Sequence, residues 1–360
     1  MIDFENIYLG ALTQITGLSN KKIIKLKSNH PSFQEIWRRG PNNWEISPQY
    51  IKQATNQYNT FSIDKYQESL LKKEIKIINY EDSMYSQLLK QTIDFPVMLY
   101  YQGDISLLNS VCLGVVGTRD ATQYGARVIE KFIPKLSNTG ITIVSGFQRG
   151  IDTLAHKSAM SSNGKTIAVL GTGLDVPYPS QNQVLFKKLI IDNLAISEYP
   201  PQTQPLAFNF PKRNRIITGL SLGVLVVEAA KKSGSLVSAK FALEQDREVF
   251  AVPNSIFALG GEGTNYLIDQ GAKTTTSPSD ILTTLNITHN LPEAKSVTQT
   301  FNQVQTMIID ALKLGQINID ELIKKTKCSS GDVMSEVTIL TLQGDILEVG
   351  DNIYCLSTPT

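Results

Sequence analysis

The sequence predicts an α/β fold, a doubly wound and mostly parallel sheet with a small helical N-terminal domain and a C-terminal winged helix. Short apolar runs such as VCLGVVG (111–117) and ITIVSG (141–146) end in glycine, and stretches with helical spacing follow them. Repeats of apolar strand, glycine turn and helix are typical of a parallel sheet with helices on both faces. The two flanks lack this repeat, which separates them from the sheet.

The elements of the central region follow in order along the chain. Further strands are predicted at 165–171, 194–199, 223–229 and 248–253, and helices at 125–136, 151–160, 183–191 and 236–244. Ligands of such sheets bind beyond the carboxyl ends of the strands, so the loops that follow strands are where binding residues are expected.

The flanking regions complete the domain prediction. Residues 1–70 have apolar spacing near 3.6 interrupted by GLS, which predicts a helical domain of the SAM or helix-hairpin-helix kind. The sheet domain is predicted at 71–285, where IKIINY (75–80) adds a short strand, and a polar linker at 286–299. Residues 300–360 read as three helices and a hairpin turning near Gly350–Asp351, hence a winged helix.

Composition limits the possible classes of protein. The chain has 360 residues, 41% hydrophobic, with 34 basic and 33 acidic side chains and a net charge of +1. This favours an ordinary globular protein of two or three domains over a disordered chain. Three scattered cysteines exclude a disulfide framework and a cysteine-rich metal site. Neither a signal peptide nor a membrane span is recognised, so a cytoplasmic location is expected.

The neutral total hides an uneven charge distribution. Residues 1–105 carry +1, residues 106–277 carry +5 and residues 278–360 carry −5. The positive part coincides with the predicted sheet, although +5 is modest, so nucleic-acid binding there would depend on individually placed phosphate contacts. The acidic C-terminal domain is expected to contact protein rather than DNA, because readers of duplex DNA normally carry net positive charge.

The motif GTRDATQYG (117–125) follows the first strand of the repeat. Gly117 would let backbone N–H groups approach a phosphate, the next helix would add its positive N-terminus, and Arg119 could clamp the phosphate. A plain tight turn with a surface arginine explains the motif equally well.

The motif SGFQRGIDTLAH (145–156) joins the second strand to its helix. Asp152 lies in the first helical turn, where capping of the N-terminus is the common role. His156 has no nucleophile or carboxylate beside it in sequence, which favours packing or hydrogen bonding within the fold over catalysis.

The motif GTGLDVPYPSQN (171–182) contains only a fragment of the dinucleotide fingerprint, since Val176 stands at the third glycine position. A nicotinamide-dependent oxidoreductase is therefore disfavoured, and no cofactor is predicted. The sequence also lacks a Walker A motif, H-E-x-x-H and G-x-S-x-G.

The stretch 210–242 carries the sharpest signal. Three basic residues and Asn214 occupy positions 212–215, and the loop Ser233–Ser235 opens another helix. Two helix N-termini together with Arg119 and Lys240 would form an anion-binding trough at one sheet edge. Phosphate binding is therefore favoured over a merely solvated basic face.

Seven motifs in order resemble the DNA-processing protein A (DprA/Smf) family over residues 74–285. They are GTRDATQYG, SGFQRGIDTLAH, GTGLDVPYPSQN, SEYP, FPKRNRIITGLSLGVLVVEA, SGSLVSAKFA and GTNYLIDQGA. The resemblance implies an extended Rossmann-like domain that binds single-stranded DNA, loads the RecA recombinase onto it in natural transformation, forms a homodimer and is not an enzyme. Gln148 and Asn254 depart from the family pattern, which affects loop shape rather than basic contacts.

Motifs and resemblance together predict one set of DNA contacts. It comprises Gly117, Arg119, Ser145, Gly146, Phe147, Arg149, Gly150, Lys212, Arg213, Asn214, Arg215, Ser233, Gly234, Ser235 and Lys240. Arg213 and Asn214 could instead be structural and brace the strand–helix turn. Five aromatic residues in or near the loops could stack on bases, although core packing is the commoner role for each: Phe147, Tyr178, Tyr199, Phe208 and Phe210.

An alternative enzyme class stays open. LGGEGTNYL (259–267) is similar to the P-G-G-x-G-T-x-x-E motif of lysine-decarboxylase-like nucleotide phosphoribohydrolases, but Leu267 stands at the position of the catalytic glutamate. Release of ribose from AMP would distinguish this class from a DNA-binding protein.

Overall fold

The computed structural model describes residues 4–287, 301–313, 315–343, 345–350 and 352–356. The chain divides into two compact units, Met1–His289 and Asn290–Thr360. The predicted boundaries at residues 71, 286 and 300 stay predictions, and most of the proposed linker 286–299 lies outside the described residues.

The first unit contains a nine-stranded sheet in the order β1-β2-β6-β5-β4-β3-β7-β8-β9. Its strands are β1 (Lys76–Asn79), β2 (Met98–Gly103), β3 (Cys112–Val116), β4 (Thr142–Ser145), β5 (Thr166–Leu170), β6 (Leu194–Ser197), β7 (Gly223–Val226), β8 (Glu248–Ala251) and β9 (Lys273–Thr274). Strands β3 to β9 are parallel, whereas β1 and β2 run antiparallel at one edge.

Thirteen helices of this unit lie within residues 4–287. They are α1 (Phe4–Thr13), α2 (Asn20–Ser28), α3 (Phe33–Arg39), α4 (Pro48–Thr60), α5 (Ile63–Lys72), α6 (Gln87–Lys90), α7 (Gln123–Asn138), α8 (Ile151–Ser161), α9 (Gln183–Asp192), α10 (Asn209–Leu220), α11 (Gly234–Glu244), α12 (Glu262–Asp269) and α13 (Pro278–Thr284).

The alternation of side chains along the buried strands creates a core on each face of the sheet. In β3, Leu113 and Val115 pack with α7 and α8, while Cys112 and Val116 face the other core, which includes α10. Burial on both faces explains why these strands are continuous apolar runs. The predicted doubly wound α/β fold is confirmed.

Strand β3 marks a reversal of strand order. The chain proceeds from β3 through β4 and β5 to β6 in one direction, and β7, β8 and β9 then extend the sheet on the other side of β3. At such a point the two loops leaving neighbouring strands diverge and open a crevice at the carboxyl ends of the strands.

The sequence predicted every parallel strand except β9, and it also predicted β1. It missed β2, which joins β1 to β6 and makes the edge of the sheet antiparallel. Residues of α1 to α5 share one apolar core with the sheet, and Asn6 in α1 donates from Nδ2 to the carbonyl oxygen of Ile77 at 3.2 Å.

The second unit has its own small core, which includes Ile308, Leu322, Val337 and Ile346. Its elements are α14 (Gln303–Leu312), β10 (Ile317–Asn318), α15 (Ile319–Thr326), α16 (Ser330–Gln343), β11 (Ile346–Gly350) and β12 (Ile353–Leu356). The strands form a separate antiparallel sheet in the order β10-β12-β11. Three helices and a hairpin were predicted here, and the assignment as a winged helix stays a prediction.

Candidate nucleic-acid interface

A pocket of about 660 Å³ lies beyond the carboxyl ends of the strands, where the strand order reverses. Of the predicted contacts, it brings together Gly117, Arg119, Arg213, Asn214, Ser233, Gly234 and Ser235. They come from the loop after β3, from α10 and from the start of α11. The pocket therefore unites three of the segments that the sequence singled out.

An exposed arginine and two aromatic rings form one wall. The guanidinium carbon of Arg119 lies 5.9 Å from the centre of the Phe210 ring, and the ring of Tyr178 lies 5.6 Å from that of Phe210. Phe208 is the N-cap residue of α10. It is 69% exposed and follows Ala207, which lines the pocket. The wall thus presents a cation for phosphate and flat surfaces for bases.

The N-terminus of α11 supplies the opposite wall. Ser233 caps the helix, accepting at 3.3 Å from the backbone N–H of Ser235, and Gly234 is exposed with open space where a Cβ would lie. The side-chain amide of Asn214 donates to the carbonyl oxygen of Gly234 at 3.4 Å, which ties α10 to this helix start. Exposed N–H groups at a positive helix end suit an anion.

Arg213 lies under the pocket rather than on its surface. The side chain is buried, and its guanidinium donates to the carbonyl oxygens of Gly146 and Val169. Burial lowers the pKa of Arg213 to about 10, and Asp152 nearby opposes the shift. Of the two roles that the sequence leaves open for Arg213, a DNA contact and a structural brace, its burial favours a buried cation that braces the loop after β4.

Asp152 is a buried acid of the pocket and not the helix cap that the sequence suggested. The N-cap of α8 is Gly150, and Asp152 Oδ2 accepts from the backbone N–H of Gln148 at 3.2 Å. Burial raises the pKa of Asp152 to about 6, although Arg213 acts in the opposite direction. Asp152 and Arg213 both line the pocket, and their opposite charges partly offset the cost of burying each of them.

The loop 145–150 is held by its own buried contacts. Ser145 donates to the carbonyl oxygen of Val115 at 2.6 Å, and the Phe147 ring is fully buried against Phe186. A Cβ on Gly150, where φ is +78°, would lie 2.3 Å from the Thr118 carbonyl oxygen. Base stacking by Phe147 is corrected to core packing, because its ring has no exposed surface.

A carboxylate already occupies the predicted phosphate site at the start of α7. Buried Glu228 accepts from the backbone N–H of Thr122 at 3.0 Å and from its hydroxyl at 2.6 Å. A Cβ on Gly117 would lie 2.6 Å from Ile151, so this glycine is needed for helix packing. The positive end of α7 is therefore neutralised from within, which corrects the first predicted phosphate cradle.

The remaining basic residues separate by burial. Arg215 is buried and pairs with Glu198 at 2.6 Å, so its predicted role as a DNA contact is corrected to a structural ion pair. Lys212, Arg149 and Lys240 are exposed but do not line the pocket. Arg149 pairs with Asp120 at 3.2 Å, and Lys240 with Glu244 at 3.7 Å.

His156 serves the fold, as the sequence suggested. Its Nδ1 lies 2.7 Å from the hydroxyl of Thr166, and its ring packs 5.5 Å from that of Phe147. Burial lowers the pKa of His156 to about 3, with Arg213 contributing in the same direction. A neutral imidazole held in this way is a packing residue.

Comparison with known proteins decides the family. The family model described as DNA recombination-mediator protein A matches residues 76–286, which span the whole parallel sheet. The chain belongs to this family. The resemblance to the DprA/Smf proteins predicted from the motifs is confirmed.

Individual relatives of the chain show how far the similarity extends. The DNA processing protein DprA of Streptococcus pneumoniae is 48% identical over 201 residues, 56% of this chain and 71% of that protein. The X-ray structure of DprA from that organism matches with 36% identity and a TM-score of 0.65, covering 78% of this chain and 98% of that one.

A second solved structure is of a protein described as binding single-stranded DNA. It describes the single-stranded DNA binding mode of DNA processing protein A from Helicobacter pylori, and it matches with 29% identity and a TM-score of 0.53. The match covers 58% of this chain and 95% of that one.

Several pocket residues of this family member escaped the sequence reasoning. Thr118, Asp120, Ala230 and Ser238 line the pocket. Exposed lysines at 231–232 directly precede the Ser233 cap. The run AAKKSGS could have indicated the two lysines, because it places positive charge next to a helix N-terminus.

None of the helices in the described ranges combines the length and the apolar composition needed to cross a bilayer. Among those same residues, no group of three or more metal-ligating side chains could hold a metal ion.

Proposed function

We propose that the chain binds single-stranded DNA at the pocket beside β3 and β7. The observation that carries this proposal is the meeting, in one pocket, of Arg119, the exposed Gly234 at the start of α11 and the aromatic wall at Tyr178 and Phe210. The solved structure of DNA processing protein A from Helicobacter pylori, which is described as binding single-stranded DNA, supports the same ligand.

The two walls divide the work of binding. Backbone phosphates are held by Arg119 and the exposed start of α11 at Gly234, while exposed Lys212 and the lysines at 231–232 attract the strand at the rim. Bases stack on Phe208 and Tyr178, whose exposed rings accept any base. Because stacking on these rings needs exposed bases, the protein favours a single strand over a duplex, whose bases are covered.

The proposal extends to the role of the bound strand. The protein is a non-enzymatic, cytoplasmic homodimer that delivers single-stranded DNA to the RecA recombinase in natural transformation. An apolar surface after β8 supports self-association, since Ile256, Phe257 and Leu259 are strongly exposed in succession. Sedimentation of Phe257→Glu tests the dimer, and RecA filament assembly on DNA coated with the protein tests delivery.

Fluorescence anisotropy with a labelled oligonucleotide tests the pocket. Arg119→Ala, and Lys212→Ala separately, should weaken single-strand binding and lower its salt dependence by about one unit in slope each. Arg38→Ala is the matched control, because Arg38 is exposed on α3 and lies outside the pocket. Unchanged affinity in both Arg119→Ala and Lys212→Ala would refute the assigned site.

A nucleotide phosphoribohydrolase is the second candidate. The buried carboxyl of Asp152, with its pKa raised to about 6 inside a nucleotide-sized pocket, is the observation in its favour. Against it, Leu267 stands at the position of the catalytic glutamate of the phosphoribohydrolases and is buried in the core. Hydrolysis of AMP to adenine and ribose 5-phosphate by the wild type, lost in Asp152→Asn, would establish this activity instead.

A further inference from the structure

A second surface groove, of about 930 Å³, lies at the opposite end of the sheet from the DNA pocket. Gly103 lines it and pairs with Leu194, the first residue of β6, so the groove is at the amino ends of the parallel strands. The DNA pocket lies at their carboxyl ends, and the two share no lining residue among those described. The groove therefore needs an explanation of its own.

Large apolar side chains line the groove without being covered. Leu71 at the end of α5 is 56% exposed and Ile191 at the end of α9 is 72% exposed, while Met84 is exposed between them along the chain. Contiguous apolar surface of this kind marks a place where another molecule docks. The apolar side chains come from separate elements, so one occupant would contact several of them at once.

The charges around these apolar residues are mainly negative. Glu74, Asp82 and Asp104 line the groove against a single Lys76. Three carboxylates repel a phosphate backbone and attract lysine or arginine side chains. The groove thus differs in sign from the DNA pocket, and its charge selects a basic occupant.

A buried hydrogen-bond acceptor in the groove favours an occupant that carries a donor. The Oε1 of Gln102 is buried and finds no hydrogen-bond donor within the described part of the chain, while its Nε2 donates to the Lys73 carbonyl oxygen at 2.9 Å. An unsatisfied buried acceptor costs free energy that a donor on an incoming chain would recover. Gln102 lines the groove, so such a donor could reach it.

We propose that this groove docks a basic amphipathic segment of a partner protein. Its apolar side chains pack on Leu71, Met84 and Ile191, and its lysine or arginine side chains pair with the carboxylates at 74, 82 and 104. The surface is independent of the DNA site, so the protein can hold a strand and a protein partner at the same time.

The test uses the full chain and two fluorescein-labelled helical peptides. Each has about 18 residues with leucine at helical spacing, and the other positions are lysine in one peptide and glutamate in the second. Anisotropy should show the lysine peptide binding at least about tenfold more tightly than the glutamate peptide, and this preference should shrink with salt. Equal binding of the two peptides would overturn the proposal.

Surface variants locate the binding. Leu71→Arg and Ile191→Arg should each weaken the lysine peptide about tenfold or more, because a cation would face an apolar and basic occupant. Val184→Arg is the matched control on the same helix as Ile191, since Val184 is 68% exposed but does not line the groove. Wild-type binding by both groove variants would refute the assigned surface.

Two further measurements separate this proposal from the others. Single-strand DNA affinity should be unchanged in Leu71→Arg and Ile191→Arg. The groove proposal can therefore be refuted without refuting the DNA site. A change in sedimentation of these variants would show that a second copy of the chain occupies the groove, and would overturn the partner-protein assignment.

Discussion

Replacement of Arg215 tests whether this residue contacts DNA or forms a structural ion pair. Its Nη2 lies 2.6 Å from Glu198 Oε1 and its Nε 3.4 Å from Asp94 Oδ2, and the Arg215 and Glu198 side chains are only 6% and 14% exposed. Arg215→Met would leave the Glu198 carboxylate buried without its cation, which costs about 3–5 kcal/mol. At roughly 2–4 °C per kcal/mol for a unit of this size, the melting temperature should fall on the order of 10 °C.

Calorimetry and anisotropy on the same protein test this expectation. Below the melting transition, Arg215→Met should bind single-stranded DNA with the wild-type salt slope, whereas loss of a phosphate contact would reduce the slope by about one. A variant that melts like the wild type but has a reduced salt slope would refute the reasoning.

Two comparison variants isolate the ion pair. The double variant Arg215→Met with Glu198→Met should recover much of the lost stability, because replacing both partners of a buried pair by apolar groups is often neutral. Arg149→Met should melt like the wild type, since its pair with Asp120 is exposed.

Three other predictions concern the pocket. Phe208→Ala should weaken single-strand binding by ~1–3 kcal/mol if one base stacks on the exposed ring, whereas Phe4→Ala, an equally exposed phenylalanine of α1, should leave anisotropy titrations unchanged. Gly234→Asp should abolish much of the binding without lowering the melting temperature, because the position has open space and the added carboxylate repels phosphate; wild-type affinity would contradict the assigned anion site. Burial raises the pKa of Asp152 to about 6, so the folded state holds the extra proton and wild-type stability should fall relative to Asp152→Asn as the pH rises from about 4 to 6. Urea titrations across that range measure this, and a constant difference would contradict it.

The strands and their loops could be predicted because their signals are local. An apolar run that ends in glycine specifies a buried strand and its turn, and the six predicted strands from 111 to 253 appear in β3 to β8. Strand β2 escaped because MLYYQG is neither a continuous apolar run nor a clean alternation. Its pairing with β6 depends on contacts about 95 residues apart along the chain.

The contact between Glu228 and the start of α7 also joins residues far apart in the sequence, so local signals could not predict it. Glu228 accepts hydrogen bonds from Thr122, the N-cap of α7, which is 106 residues away, and no spacing rule links the two positions. The sequence could propose an anion site at the start of α7, but only the folded chain shows that a carboxylate of the protein occupies it.

The sequence by itself determined the fold class, the family and the loops that form the pocket, since each is recorded in periodicity or in contiguous motifs. Only the tertiary structure decided which members of the basic run 212–215 face solvent. Arg213 and Arg215 point about 200° apart around α10, yet both are buried, because Arg213 donates to carbonyl oxygens of β5 and of the loop after β4 and Arg215 pairs with Glu198, whereas Lys212 is exposed. Charge is a property of the residue, whereas its availability to DNA depends on what packs around it.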